Sequence, residues 1–119
     1  MQLLAVITGV LVALAFLAAG VAKVTKHGRM VAVAERLGFT TQQFQLIGAA
    51  EAIGALGVLA GIIVDDLDAL GIAAAGGLVI VGLAATATHL RAGDKPRDSR
   101  GGAVLAVIAG VYILATVAG

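Results

Sequence analysis

With 119 residues, 61% of them hydrophobic and 13% charged, and a mean hydropathy of +1.08, this chain has more apolar surface than a water-soluble domain of its size can cover. Its formal net charge of +1 says little for such a chain; its basic residues are better explained by membrane orientation than by nucleic acid, which usually needs a basic face on a soluble module. It contains no cysteine, which excludes disulfides, thiol relays and cysteine-held Fe–S or haem groups within the chain.

Four apolar runs follow one another at residues 3–22, 45–64, 69–88 and 101–118. Each is close to the ~20 residues a helix needs to cross roughly 30 Å of hydrocarbon. None alternates as a lipid-facing barrel strand would, and backbone groups in lipid must satisfy one another locally, so helices are expected. The first run has no basic residue before it, and it reads as a retained helix rather than a cleaved leader despite the small residues Ala18, Ala19 and Gly20.

The first connection contains Lys23, Lys26, Arg29 and Arg36. Within it, residues 29–37 place Met30, Val33, Ala34 and Leu37 on one helical face and Arg29 and Arg36 on another. That pattern suits a short interfacial helix with its basic side near anionic headgroups. Gly38 is a natural stop, and Thr40 with Gln43 offers a capping box to start the second span.

Inside the second span stands Glu51, a lone carboxylate among apolar residues. A charged side chain near the bilayer centre costs roughly 2.5–3.5 kcal/mol or more, so such groups pair, protonate or line a pathway. Around it Ala50, Gly54, Gly57 and Gly61 form a stripe of small residues, matched on the third span by Ala73 and Gly77 and on the fourth by Ala106 and Gly110. Gly54, Gly57, Gly61 and Gly77 are therefore expected at helix–helix contacts.

A short turn with Asp65, Asp66 and Asp68 forces spans two and three into a hairpin, and Asp68 is placed to cap span three. The turn lacks the ligands of a complete calcium loop and reads as solvated. After span three come His89, then Arg91, Lys95, Arg97 and Arg100, with Lys95-Pro96 breaking the helix and Ser99 placed to cap span four. All eight Lys and Arg thus lie in connections one and three. The positive-inside rule places loops 23–44 and 89–100 in the cytoplasm, with both termini and the acidic turn outside. The expected fold is an all-α membrane protein, one domain over 1–119, built as an up-down four-transmembrane-helix bundle with a short cytoplasmic interfacial helix.

In that topology Glu51 lies roughly 10 Å inside the cytoplasmic end of span two, at 1.5 Å per residue. Lys23 and His89 end spans one and three on the same side, and Thr86, Thr88, Gln42, Gln43 and Gln45 add polar groups there. The outer halves have no comparable polar set, so one pocket is expected, open to the cytoplasmic leaflet. Its candidate residues are Glu51, His89, Lys23 and Thr86. Glu51 reads either as a structural partner of Lys23 or as a protonatable group in a quinone, lipid or proton site. His89 suits a helix C-terminus, and His27 lies in a different connection, so no metal site is expected. Walker, dinucleotide-binding, Ser-His-Asp and zinc motifs are absent.

Four segments resemble the DoxX-like family of small four-helix membrane proteins: residues 16–23 (FLAAGVAK), 48–61 (GAAEAIGALGVLAG), 70–78 (LGIAAAGGL) and 89–94 (HLRAGD). The block around Glu51 is the most specific. The resemblance implies four transmembrane helices. Some members of that family are membrane subunits associated with thiosulfate oxidation and quinone reduction, and others are linked to oxidative stress or thiol homeostasis. Without cysteine, a thiol-exchange role does not carry over. The expected function is an accessory or scaffold subunit of a membrane-associated complex, not catalytic alone, with membrane lipids and a protein partner or second copy as neighbours and no nucleic acid. One alternative is a quinone-linked redox component, with no cofactor held within the chain, in which Glu51 exchanges protons with a quinone. The other is a small permease or lipid-binding protein.

Overall fold

The computed structural model describes residues 2–25 and 28–119. Lys26 and His27, counted above in the first connection, lie outside the described residues. The chain forms α1 (Gln2–Val24), α2 (Gly28–Leu37), α3 (Thr41–Ile63), a 3-10 turn at Asp65–Leu67, α4 (Asp68–Arg91), α5 (Pro96–Ser99) and α6 (Gly101–Ala118). Four of these helices, α1, α3, α4 with its preceding turn, and α6, are long and apolar enough to cross a membrane. The long axis measures 42 Å, matching the ~40–45 Å of a bilayer with its headgroup layers.

The local signals explain the boundaries. Thr40 accepts a hydrogen bond from Gln43 N at 3.1 Å while its own N–H donates to Gln43 Oε1 at 3.0 Å, so the capping box starts α3 four residues before the apolar run. Gly38 ends α2 with φ 87°, a left-handed conformation that glycine adopts without strain. In α2, Ala34 is buried and Met30, Val33 and Leu37 are half-buried, whereas Arg29, Glu35 and Arg36 are exposed.

Two expected caps are replaced by other groups. Asp68 makes no capping hydrogen bond; α4 continues directly from the 3-10 turn, with Leu67 at its N-cap position. Ser99 donates back to Lys95 O at 2.9 Å and does not cap α6. The hydroxyl that serves α6 comes from another helix: Ala103 N donates to Thr86 Oγ1 at 2.8 Å, and Thr86 donates to Ser99 O at 2.7 Å.

In the bundle α1 packs on α3 and α6, and α4 packs on the same two helices. Val12, Ala13, Phe16, Ala55, Val58, Ala75, Leu78, Ala109 and Tyr112 fill the middle. Large apolar side chains such as Leu3, Ile53, Ile80 and Leu114 point outward, as lipid-facing residues do. Glycine lets the helices approach at three levels. A Cβ on Gly20 would strike the Gly48 carbonyl, one on Gly61 would lie 2.7 Å from Gly71 Cα, and Gly82 and Gly102 would strike each other's carbonyls. Gly54 and Gly57 also face α4, with added Cβ atoms 2.8 Å from Leu78 Cδ2 and 2.7 Å from Ala74 Cβ.

Gly77 corrects the sequence reading: an added Cβ there would meet nothing within 4 Å. The inward face of α4 runs through Gly71, Ala75, Leu78 and Gly82, and Gly77 stands a little over half a turn from Ala75. Ala50 and Ala73 are exposed for the same kind of reason, and Gly110 also has open space beside it.

Candidate functional site

Glu51 and Lys23 meet at the basic end of the bundle. Helical side chains lean toward the N-terminus of their own helix. In antiparallel neighbours this sends Lys23 inward from the end of α1 and Glu51 back toward the mouth of α3. Lys23 Nζ donates to Glu51 Oε1 at 2.5 Å, and Glu51 is only 4% exposed. The close approach depends on Gly48, where a Cβ would lie 2.5 Å from Lys23 Cβ. The Lys23 ammonium also stands 5.3 Å from the Phe44 ring centroid, within cation–π range. Gln45 supports the same junction by donating to Val24 O at 2.9 Å, satisfying a last-turn carbonyl of α1.

Beside this pair lies a cavity of about 180 Å³. Leu37, Phe39, Phe44, Ile47 and Val81 form apolar walls, and Lys23, Glu51, Thr88 and His89 supply its polar groups. A second ionic cluster ties its rim together. His89 Nδ1 is 2.6 Å from Asp94 Oδ2, and Arg36 on α2 pairs with the other oxygen of the same carboxylate. The hydrogen bond with His89, assisted by Arg36, holds the Asp94 carboxyl below the usual carboxylate range. Helix α2 is thereby fastened over the cavity its own Leu37 helps to line.

The structure brings together three of the four residues expected at the site. Thr86 is turned away, occupied by Ser99 O and Ala103 N as described. The cavity's hydroxyl is Thr88, which donates to Ala84 O at 2.7 Å. Gln42 and Gln43 are exposed. Sequence reasoning missed Arg36 and Asp94 as a connection between α2 and α4, although Asp94 sits five residues after His89 in a segment already singled out.

The expectation of one pocket also needs correction. A larger cavity, about 330 Å³, opens at the opposite, acidic end among Gln2, Asp65, Asp68, Tyr112 and Thr116. Its residues come from both ends of the sequence and from the central turn, so no single segment shows it.

A family model described as DoxX-like matches residues 7–118. No curated protein and no solved structure matches the chain.

Proposed function

The chain belongs to the DoxX-like family, and from that membership and its internally paired polar groups we propose that it is an accessory membrane subunit, acting through a protein partner. The pairing carries the reading. Lys23 and Glu51 satisfy each other, His89 and Arg36 share Asp94, and Thr86 holds two helix ends together. Groups engaged in this way hold the bundle's shape. The oriented subunit has loops 23–44 and 89–100 in the cytoplasm and both termini outside, since the basic residues collect at one end.

Native mass spectrometry of the protein, extracted gently from its own membrane, tests this. A protein partner that stays bound in Glu51→Gln is the expected result. A wild-type chain without a protein partner, carrying a small molecule that Glu51→Gln loses, overturns it. Because the chain has no cysteine, Asp66→Cys and Arg97→Cys give clean single labels, and an impermeant thiol reagent added outside should reach only the first.

The cavity favours one second reading, a quinone-linked component. Its apolar walls and its Glu51 and His89 edge suit a ring with hydrogen-bond acceptors. At about 180 Å³ it is smaller than the roughly 300–1,000 Å³ of typical ligand pockets, so only a headgroup would enter. Electrons would come from the partner.

A further inference from the structure

The connection between α4 and α6 carries cations that the fold does not use. Arg91, Lys95, Arg97 and Arg100 are all exposed. Among the described residues the ion pairs join Lys23 to Glu51 and Asp94 to His89 and Arg36, so each of these four stands without a carboxylate partner. Asp94 is already engaged, which leaves Asp98 as the one uncommitted carboxylate between residues 91 and 100. The connection is nevertheless braced. Pro96 occupies the first turn of α5, where its fixed φ suits the helix. Ser99 donates to Lys95 O, and Thr86 on α4 donates to Ser99 O while accepting from Ala103 N. An anion bound there would order side chains on a backbone that is already held, which lowers the cost of binding.

The surfaces of the two helices that the connection joins point to lipid. On α4, Leu83 and Leu90 are 53% and 46% exposed, and on α6 Val107 and Leu114 are 67% and 70% exposed. In each pair the residues are seven apart, about two turns along one line of the helix. Both lines run from the connection into the apolar part of the bundle, where such side chains meet acyl chains, while cations at the helix ends stand at headgroup level. We propose that the 91–100 connection binds the phosphate of an anionic phospholipid, whose acyl chains lie along the outward sides of α4 and α6. The guanidinium forks of Arg91, Arg97 and Arg100 match phosphate oxygens in pairs, and Lys95 adds a point charge. A zwitterionic lipid keeps the apolar contact but brings no net charge. A soluble phosphate or an acidic peptide brings the charge but cannot use the apolar lines.

The test uses the full chain in a neutral detergent, with retained lipid counted by native mass spectrometry across a concentration series. The probes are phosphatidylglycerol, phosphatidylcholine with the same chains, glycerol phosphate and a polyglutamate peptide. Each Lys or Arg near an anionic lipid contributes about fivefold, so phosphatidylglycerol should bind at least about tenfold more tightly than phosphatidylcholine. Lys95→Gln with Arg97→Gln should lose about 25-fold for phosphatidylglycerol; both side chains are exposed, so the fold is expected to survive. The charge-preserving Lys95→Arg with Arg97→Lys should retain binding. Arg29→Gln, which removes a charge from α2, should lose less than about fivefold. Equal binding of the two lipids overturns the proposal, as does unaltered binding in Lys95→Gln with Arg97→Gln, or a loss in Arg29→Gln as large as in that double variant. Glycerol phosphate or polyglutamate binding as tightly as phosphatidylglycerol overturns it too, the first in favour of a soluble anion and the second in favour of an acidic protein.

Discussion

Removing Lys23 should damage the protein more than removing the charge of Glu51, although they form one pair. The bond between them measures 2.5 Å, and their side chains are 16% and 5% exposed. Breaking a buried pair from one side costs roughly 3–5 kcal/mol because the remaining charge is left without compensation. An ordinary interhelical hydrogen bond in a membrane contributes only about 0.6–2 kcal/mol. Lys23 lies in the last turn of α1 and its flexible stem lets the ammonium snorkel toward water once Glu51→Gln weakens the pair. Glu51, in the interior of α3, has no such exit. Lys23→Met should therefore fall near the upper range, about 3–5 kcal/mol, and Glu51→Gln near the lower, about 1–2 kcal/mol. The double variant Lys23→Met, Glu51→Leu should recover most of the loss, because a buried pair replaced by apolar groups is often close to neutral. Far-UV circular dichroism during titration of detergent micelles with SDS measures each variant. Equal losses in the two single variants, with a coupling below about 0.5 kcal/mol, would refute the assignment of this pair as the clamp between α1 and α3.

Three other outcomes follow from the same structure. Gly48→Ala should destabilise by about 1–3 kcal/mol through overpacking, since its Cβ would lie 2.5 Å from Lys23 Cβ, whereas Gly77→Ala, with nothing within 4 Å, should be neutral or slightly stabilising in the same SDS titration. Thr86→Val leaves Ala103 N without its acceptor and should cost about 1–3 kcal/mol, seen as faster amide exchange confined to the first turn of α6. The Asp94 cluster gives a pH dependence: a carboxyl lowered from its ordinary value of 3.8 contributes fully above that value and loses its contribution as the pH falls through the lowered one. Thiol labelling of Val33→Cys, on the half-buried face of α2, should accelerate across that acid range, and Asp94→Asn should show the faster rate already at neutral pH.

What could be read in the sequence was set by how few arrangements lipid permits. Four helices follow from length and apolarity, because a backbone in hydrocarbon has no other way to satisfy itself over single runs. The Thr40–Gln43 box and Gly38 were legible because their chemistry acts within four residues. The Lys23–Glu51 pair was legible for a related reason: a carboxylate inside a span needs compensation, and antiparallel topology leaves few cations at its depth. Choices that depend on helix rotation were not. Thr86 and Thr88 differ by two residues, a little over half a turn, yet one joins α4 to α6 and the other lines the basic-end cavity. The same uncertainty put Gly77 among the packing residues when Gly71 and Gly82 occupy that face. The acidic-end cavity was the least visible feature, since its polar core is one tyrosine in an apolar run and its room comes from glycines on two other helices. Counting polar residues along a span finds a charge that must be compensated. It overlooks a cavity that exists only once α1, α3, α4 and α6 have packed.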